Sequence, residues 1–349
     1  MTEIRFPIDR LESFATAILR GFGVPDDHAA ITAQRLVEAD TRGRTGHGLI
    51  RLGPYVDRIE AGGLNLSPNV RALHETPVSA LIDGDNGLGQ VVMTRATELA
   101  IAKAEATGMA WIGTVHSNHA GAAGIYPAMA ADRGLIGMYL AVANANGMPP
   151  WGGTERVLGT NPIAFAIPAG ENDRFELDIA TTVASHGTIK VVAQAGEQMP
   201  EGWVTDAEGN PITDPKRAHE GSLMPIGGYK GAGLNIAIGL LAGVLNGSAF
   251  GKSVIDHRVQ MDIPTNTGQA ILVMRLDLFM ARDEIEAAMA AKLEELRKTG
   301  AAGGRVQLPG ERAAARIADN TTNGLPLPDP LRLQLNELAG RAGMTDTLS

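Results

Sequence analysis

Strand-like and helix-like segments alternate through the middle of the chain, and this order restricts the possible folds more than any other feature. Short apolar runs occur at 78–82, 109–115 and 135–144, and helix-like segments at 94–107 and 122–133 lie between them. An alternation of this kind is typical of a sheet covered by helices. Further strands are predicted at 163–168, 175–180 and 270–276, and a helix at 182–195. We therefore predict an α/β core.

Both ends of the chain are predicted to be helical. Leu11, Phe14, Ile18 and Phe22 follow helical spacing, Gly23 and Pro25 interrupt it, and Asp26 or Asp27 can cap the next helix. Segment 283–298 is amphipathic, and the apolar segment 231–245 is too short for a bilayer and is predicted to be a buried core helix. We expect both ends to form a helical lobe on the α/β core, with segments 1–75, 76–228 and 229–349.

Composition argues against several classes of function. The net charge is −9 and no basic run is long enough to bind nucleic acid. The chain has no cysteine, which excludes disulfides and thiolate catalysis and fits a reducing compartment. The N-terminal residues lack the apolar run of a signal peptide. We expect a cytoplasmic protein that binds neither nucleic acid nor membrane.

The segment 46–51 combines an imidazole with a guanidinium in a locally basic stretch. If it is helical, His47 and Arg51 lie four residues apart on one face. A guanidinium binds a carboxylate through two hydrogen bonds, and an imidazole donates a proton near neutral pH. Pro54 is predicted to kink or restart the helix. The alternative is an ordinary solvated turn.

Two histidines, His116 and His119, lie between a predicted strand and a predicted helix. The small residues after them allow a cofactor to approach the backbone. A pair of turn histidines is the alternative. Two histidines three residues apart also suggest a metal, but no neighbouring acid or cysteine completes a ligand set, so we predict no metal site.

Two further segments carry signals of ligand binding. Asp178 ends a predicted strand, where α/β proteins place ligands, although Asp178 or Thr182 can equally cap the next helix. Lys230 lies among glycines before an apolar helix, which suits a pyrophosphate or a simple loop. The segment 247–253 is one residue too short for a phosphate loop, and no G-x-G-x-x-G opens a helix, so a standard dinucleotide fold has no support.

In these segments the chain resembles the malate/L-lactate dehydrogenase family of the second, non-Rossmann type, from about Leu11 to Pro328. The matching motifs stand in order at 47–52, 117–121, 158–162, 177–181, 202–203, 213–215, 227–231 and 309–311. The resemblance implies a non-Rossmann NAD(P)-binding α/β lobe with a mixed sheet, plus a helical lobe formed by both chain ends. It also implies NAD or NADP as cofactor, and a homodimer with active sites near the subunit interface.

The resemblance also implies roles for individual residues. His47 is the expected proton donor, and His119 competes with it because some members assign that role to the matching histidine. Arg51 is expected to bind the substrate carboxylate, with Thr160, His186 and Gly187 lining the pocket. The expected cofactor contacts are His119, Ala120, Gly121, Ala122, Ala123, Asp178, Ile179, Ala180, Lys230, Gly310, Glu311 and Arg312.

Two departures from the family pattern bear on the substrate. Many members have serine where this chain has Gly46, and the cyclic-imine reductases have aspartate where it has Thr188. The serine and the aspartate both support imine reduction, and this chain lacks both. We therefore expect hydride transfer to the alpha carbon of a small 2-oxo carboxylate, or its reversal. Reduction of a cyclic imine acid is the alternative, and a cofactor-binding protein without catalysis is a third possibility.

Overall fold

The structure, a computed structural model, describes residues 4–170 and 173–349. Its helices are α1 Ile8–Gly21, α2 Asp26–Thr41, α3 Leu52–Glu60, α4 Gly89–Thr107, α5 Ile125–Ala131, α6 His186–Ala195, α7 Tyr229–Ile238, α8 Arg282–Arg297, α9 Glu311–Asn323 and α10 Asp329–Arg341. Its strands are β1 Ile4–Phe6, β2 Arg71–Thr76, β3 Ser79–Asp83, β4 Met109–Ser117, β5 Leu135–Ala141, β6 Ile163–Pro168, β7 Arg174–Ile179, β8 Val204–Thr205, β9 Ser222–Leu223, β10 Thr267–Arg275 and β11 Leu325–Leu327.

A seven-stranded mixed sheet forms the centre of the α/β lobe, in the order β2-β3-β4-β10-β5-β6-β7. Within it β3 and β4 pair in parallel, joined by α4, while the other neighbours are antiparallel. Strand β10 lies between β4 and β5, so the second predicted β-α-β unit does not pair its own strands. The prediction of a mixed α/β fold is confirmed.

The two ends of the chain meet in a helical lobe, as predicted. Strand β1 pairs with β11, with Ile4 opposite Leu327, and α10 packs on α1 and α3. One apolar cluster runs through this lobe and includes Phe14, Leu36 and Leu335. Burial of such side chains is the main stabilising force. The division into segments 1–75, 76–228 and 229–349 stays a prediction.

Three helix starts differ from the sequence prediction. Pro25, not Asp26 or Asp27, occupies the position before α2, and no side chain caps that helix. Helix α5 begins at Ile125 rather than at 122, after a stretch of small residues. Helix α6 begins at His186 rather than at 182 because Ser185 caps it, accepting a hydrogen bond from the backbone of Thr188.

The predicted buried core helix at 231–245 is only half-buried. Helix α7 ends at Ile238, and the chain continues through a π turn at 239–243 and a 3₁₀ turn at 244–246. Asn235 and Ala242 face the sheet side, whereas Leu245 is 65% exposed. In the described residues, no helix has both the length and the hydropathy needed to cross a membrane.

The predicted apolar stripe of α8 is also only partly buried. Leu296 is exposed, and the adjacent Arg297 is buried instead. The guanidinium of Arg297 lies 2.6 Å from Asp173 and 2.5 Å from Glu311. These two carboxylates compensate the buried charge, so an ion cluster rather than apolar packing seats the end of this helix.

Candidate active site

His47 and Arg51 lie on two successive 3₁₀ turns, Thr45–His47 and Leu49–Arg51, and not on one α-helix. Gly48 is extended between them, and α3 begins only at Leu52. Pro54 falls in the first turn of α3, where a backbone N–H has no helical partner, so it restarts the helix as predicted. Arg51 Nε donates to Gly46 O at 2.7 Å, which fixes the side chain beside His47.

A buried carboxylate from α2 shapes this double turn. Asp40 Oδ2 accepts the backbone N–H of Leu49 at 2.7 Å. The same carboxylate packs against Gly48, where any Cβ would collide with it. Burial raises the pKa of Asp40 to about 7, although the Leu49 hydrogen bond opposes the change. The position of His47 and Arg51 therefore depends on Asp40 and on glycine at 48.

His119 enters the same space from the end of β4. Its ring stacks on His47 with centroids 5.5 Å apart and lies 5.5 Å from the ring of His257. Its Nδ1 lies 2.7 Å from the Tyr55 hydroxyl, to which Gln90 Nε2 donates at 2.7 Å. The start of α4 approaches the 118–119 backbone so closely that only glycine fits at 89.

The contacts of His119 determine which ring nitrogen carries its proton. The backbone N–H of Gly121 lies 3.3 Å from Nδ1 and can only donate. Burial raises the pKa of Tyr55 to about 12, so its hydroxyl keeps its proton at neutral pH. Nδ1 therefore accepts hydrogen bonds, and the neutral ring carries its proton on Nε2.

The site is positive in charge, yet its imidazoles are neutral. Burial, reinforced by Arg51 and Arg44, lowers the pKa of His47 to about 4. Burial and Arg51 hold the pKa of His119 well below its usual value. Burial also lowers the pKa of Arg51, and no carboxylate among the described residues pairs with it. A bound anion would supply the missing counter-charge.

The segments predicted to contact a cofactor gather around the end of β7. Arg44 Nη2 donates to Asp178 O at 3.1 Å, and a Cβ on Gly124 would lie 3.1 Å from Asp178 Oδ2. The Glu176 N–H donates to Pro309 O at 3.3 Å. These contacts join the loop after β4 and the loop before α9 to the same strand, with Ile179 and Ala180 half-buried between them.

The remaining predicted cofactor residues vary in how closely they approach that strand. The Ile226 N–H donates to Thr181 O at 3.0 Å, which brings the loop before α7, with exposed Lys230, beside the end of β7. Gly310 packs against Glu176. Glu311 is paired with Arg297, and exposed Arg312 bonds Gln307. Ala120, Ala122 and Ala123 are buried.

The arrangement fits a nicotinamide nucleotide. His47 Nδ1 and Gln90 Oε1 are buried without a hydrogen-bond partner among the described residues. His47 Nδ1 needs a polar partner, which the amide of a nicotinamide provides. Small residues follow His119 at 120–124. No cluster of three acidic, histidine or cysteine side chains suited to a metal occurs in the described part of the chain.

The predicted pocket residues Thr160, His186 and Gly187 lie near the end of β7 and at the start of α6. Thr160 O accepts hydrogen bonds from Thr181, at the end of β7. His186 opens α6 with Gly187 after it, and its Nε2 faces Gly147. Burial and then Arg258 lower the pKa of His186, and Arg258 also lowers that of Arg51. One guanidinium thus lies within electrostatic reach of both His186 and Arg51.

Sequence reasoning missed four residues of the site, namely Tyr55, Gln90, His257 and Arg258. The spacing of Tyr55, four residues after Arg51, was a usable signal because it extends the same helical face. The His257-Arg258 pair in a turn-rich segment was another. Gln90 carried no signal in the sequence, because only the close packing of α4 brings it near His119. His116 does not join the cluster; it is exposed and pairs with Asp83 at 3.0 Å.

A half-buried guanidinium with no carboxylate partner among the described residues, beside neutral imidazoles, is the arrangement expected in an oxidoreductase for carboxylated substrates. The malate/L-lactate dehydrogenase family matches residues 6–336. The chain belongs to that family, whose dehydrogenases use nicotinamide cofactors. It is therefore an oxidoreductase, and its resemblance to this family is confirmed.

Individual relatives extend over nearly the whole chain. The malate dehydrogenase of Pyrococcus horikoshii is 38% identical, covering 98% of this chain and 96% of the relative. The solved sulfolactate dehydrogenase of Methanocaldococcus jannaschii superposes with a TM-score of 0.90 at 34% identity, covering 98% of both chains. The Δ1-pyrroline-2-carboxylate/Δ1-piperideine-2-carboxylate reductase of Pseudomonas putida is 32% identical, covering 97% of this chain and 98% of the relative.

Proposed function

We propose that this protein transfers hydride between NAD(P) and the alpha carbon of a small 2-oxo or 2-hydroxy carboxylate, of the malate or lactate type. The observation that carries the proposal is Arg51, a half-buried guanidinium without a carboxylate partner among the described residues, beside His47 and His119. Similarity to malate and sulfolactate dehydrogenases supports it.

Arg51 binds the substrate carboxylate with its free Nη groups, since Nε is already held by Gly46. The nicotinamide, when bound, supplies or accepts the hydride. The carboxylate neutralises Arg51 and so removes one of the causes that hold the pKa of His119 low. His119 then takes up a proton and donates it from Nε2 to the substrate oxygen as the hydride arrives at carbon.

His119 is a better proton donor than His47 in this geometry. The contacts to Tyr55 and Gly121 occupy Nδ1 and direct the proton-bearing Nε2 away from them. His47 has no partner at Nδ1 and stacks on His119, so it is suited to hydrogen-bond the substrate or cofactor. The cofactor contacts at 119–123, 178–180, 230 and 310–312, and the pocket role of Thr160, His186 and Gly187, are parts of the same proposal.

The test is a panel of pyruvate, oxaloacetate and Δ1-pyrroline-2-carboxylate, each with NADH and NADPH, following absorbance of the reduced cofactor. We expect turnover of at least one 2-oxo acid. His119→Ala should lower kcat by about 10²–10⁴, and His47→Ala should lower it less. His116→Ala, an exposed histidine of the same segment, is the control. Near-normal turnover in both His119→Ala and His47→Ala would refute the assignment.

Reduction of a cyclic imine acid is the second candidate, supported by the similarity to the Pseudomonas putida reductase. In this chain Thr188 bonds Ser185 at the start of α6, and Gly46 has no neighbour within 4 Å of where its Cβ would be. Neither supplies an acid–base group. Faster turnover of Δ1-pyrroline-2-carboxylate than of any 2-oxo acid would favour this candidate.

We also propose a homodimer in the cytoplasm. The outer face of the segment 229–246 exposes large apolar side chains, and an exposed patch of this kind marks a protein contact. They are Tyr229, Leu234, Leu240, Leu241, Val244 and Leu245. Light scattering should give twice the mass of the chain, and Leu245→Arg should halve it; an unchanged mass would exclude this face. The lack of cysteine supports a reducing compartment.

A further inference from the structure

Tyr55 links His119 to Gln90 in a buried chain of side chains. The Tyr55 oxygen lies 2.7 Å from His119 Nδ1 and 2.7 Å from Gln90 Nε2. Tyr55 and Gln90 are buried and His119 is half-buried, and Gln90 Oε1 has no partner among the described residues. A hydroxyl has one proton to donate, whereas an amide offers a donor and an acceptor on the same group.

Protonation of His119 requires the hydrogen bonds that link His119, Tyr55 and Gln90 to rearrange. In the neutral ring Nδ1 accepts, so Tyr55 donates to it and accepts from Gln90. In the imidazolium both ring nitrogens donate, so Nδ1–H needs an acceptor. The Tyr55 oxygen is in place to accept it, but the Tyr55 proton then needs a new acceptor. Gln90 Oε1 becomes that acceptor when the amide turns over.

We propose that Tyr55 and Gln90 act as positioning residues whose hydrogen bonds reverse direction when His119 gains its second proton. The inference rests on the proposed function, in which His119 is the proton donor. The reversal makes and breaks no covalent bond. The second proton binds Nδ1, the nitrogen that is unprotonated in the neutral ring, and the proton already on Nε2 leaves to the substrate oxygen. The ring is then neutral again, and Tyr55 is a neutral phenol before and after the transfer.

The charges around His119 determine when the reversal occurs. Burial and then Arg51 disfavour a positive charge on the ring, and the neutral rings of His257 and His47 also face it. Tyr55 is uncharged and Arg51 is the permanent cation, so an anion bound to Arg51 removes the main opposing charge. The switch is thereby coupled to binding of a carboxylate.

Nitrogen-15 NMR of histidine-labelled protein reads the two states directly, without turnover. The probe is oxamate, added with NADH, and His119→Asn identifies the signal. We expect a neutral ring protonated at Nε2 in the free protein and an imidazolium in the complex. Tyr55→Phe should keep His119 neutral in the complex. An imidazolium in Tyr55→Phe, or an Nδ1-protonated ring in the free protein, would overturn the proposal.

Kinetics separate positioning from general packing. Tyr55→Phe and Gln90→Met each preserve shape, and we expect each to lower kcat by about 10–10²-fold, with the NADH dissociation constant unchanged and the alkaline limb of the kcat profile for 2-oxo acid reduction moved to lower pH. The double variant should be no slower than Tyr55→Phe. Tyr139→Phe, another buried tyrosine, is the control. Additive losses, or an unmoved pH profile, would contradict the switch.

The two proposals fail in different ways. If no 2-oxo acid is turned over, the proposed function fails, while the NMR measurement still reports the state of His119 with and without an anion. If 2-oxo acids are turned over but Tyr55→Phe behaves like Tyr139→Phe, the switch fails and the function stands. Should Tyr55→Phe not fold, Gln90→Met carries the same pH-profile test.

Discussion

Replacing Asp40 by asparagine should make the protein more stable at alkaline pH. Asp40 is buried and accepts one hydrogen bond, from the Leu49 N–H, and forms no salt bridge with any of the described residues. An asparagine oxygen can accept the same hydrogen bond without a charge. The variant therefore removes the cost of burying a carboxylate while it keeps the contact that shapes the 48–49 turn.

The size and sign follow from the pKa. Burial raises the pKa of Asp40 from 3.8 to about 7. Because each pKa unit is worth about 1.4 kcal/mol, ionisation costs the folded state up to about 4 kcal/mol. A raised carboxyl pKa favours folding below the unfolded pKa, and this advantage is lost as pH rises to the folded one. Part of this loss of stability has already occurred at pH 5. The stability that Asp40 contributes therefore falls by about 3 kcal/mol between pH 5 and 8.5.

The assay is urea unfolding of the wild type and Asp40→Asn at pH 5.0 and 8.5, at one protein concentration. We expect the free energy of unfolding of the variant, relative to wild type, to rise by about 3 kcal/mol between the two pH values. Groups other than Asp40 are the same in both proteins, so their contributions cancel in the difference. Asp57→Asn, at an exposed aspartate of α3, is the control. A difference independent of pH would refute the reasoning.

Three other outcomes are expected from the site. Arg51→Lys should raise KM for the 2-oxo acid about 10–100-fold and change kcat less, because a lysine cannot form two parallel hydrogen bonds to a carboxylate. Steady-state assays that show a loss confined to kcat would contradict this. Oxamate binding should be accompanied by proton uptake and weaken as pH rises, since neutralising Arg51 removes one of the causes, after burial, that lower the pKa of His119. Calorimetry in buffers of different ionisation enthalpy measures the uptake, and zero uptake would disprove the coupling. Gly46→Ser should fold normally, because a Cβ at this position meets no atom within 4 Å. The variant should raise the ratio of activity on Δ1-pyrroline-2-carboxylate to activity on pyruvate, and a fall in this ratio would count against the role of the serine.

The positions of helices and strands along the chain were more predictable from the sequence than the pairing of the strands in the sheet. The helix periodicity of α1 and the apolar runs of β4 and β6 identified those elements, since local pattern determines them. The place of β10 between β4 and β5 was not predictable, because it depends on pairing with residues more than a hundred positions away. The strand β2 was missed for a different reason: it is exposed along its length and therefore shows no apolar pattern; α9 was also missed.

The candidate site shows the same division between local and long-range information. His47, Arg51 and His119 were found as chemical groups in short motifs, yet no motif predicted that the two rings stack or that Asp40 holds the turn. Gln90 is a glutamine at the start of a helix, and only the packing of α4 on the 118–119 backbone gives it a role.

Neither lobe alone supplies all the residues of the site. His47, Arg51 and Tyr55 come from the helical lobe, whereas Gln90 and His119 come from the α/β lobe, and the contacts that fix the proton of His119 cross between them. A small shift of one lobe would separate Tyr55 from His119 Nδ1 before it disturbed either core. Proton transfer should therefore be more sensitive than folding to changes at the lobe junction, so that variants of Asp40 or Gly48 lose activity at denaturant concentrations where the sheet and the helices are intact.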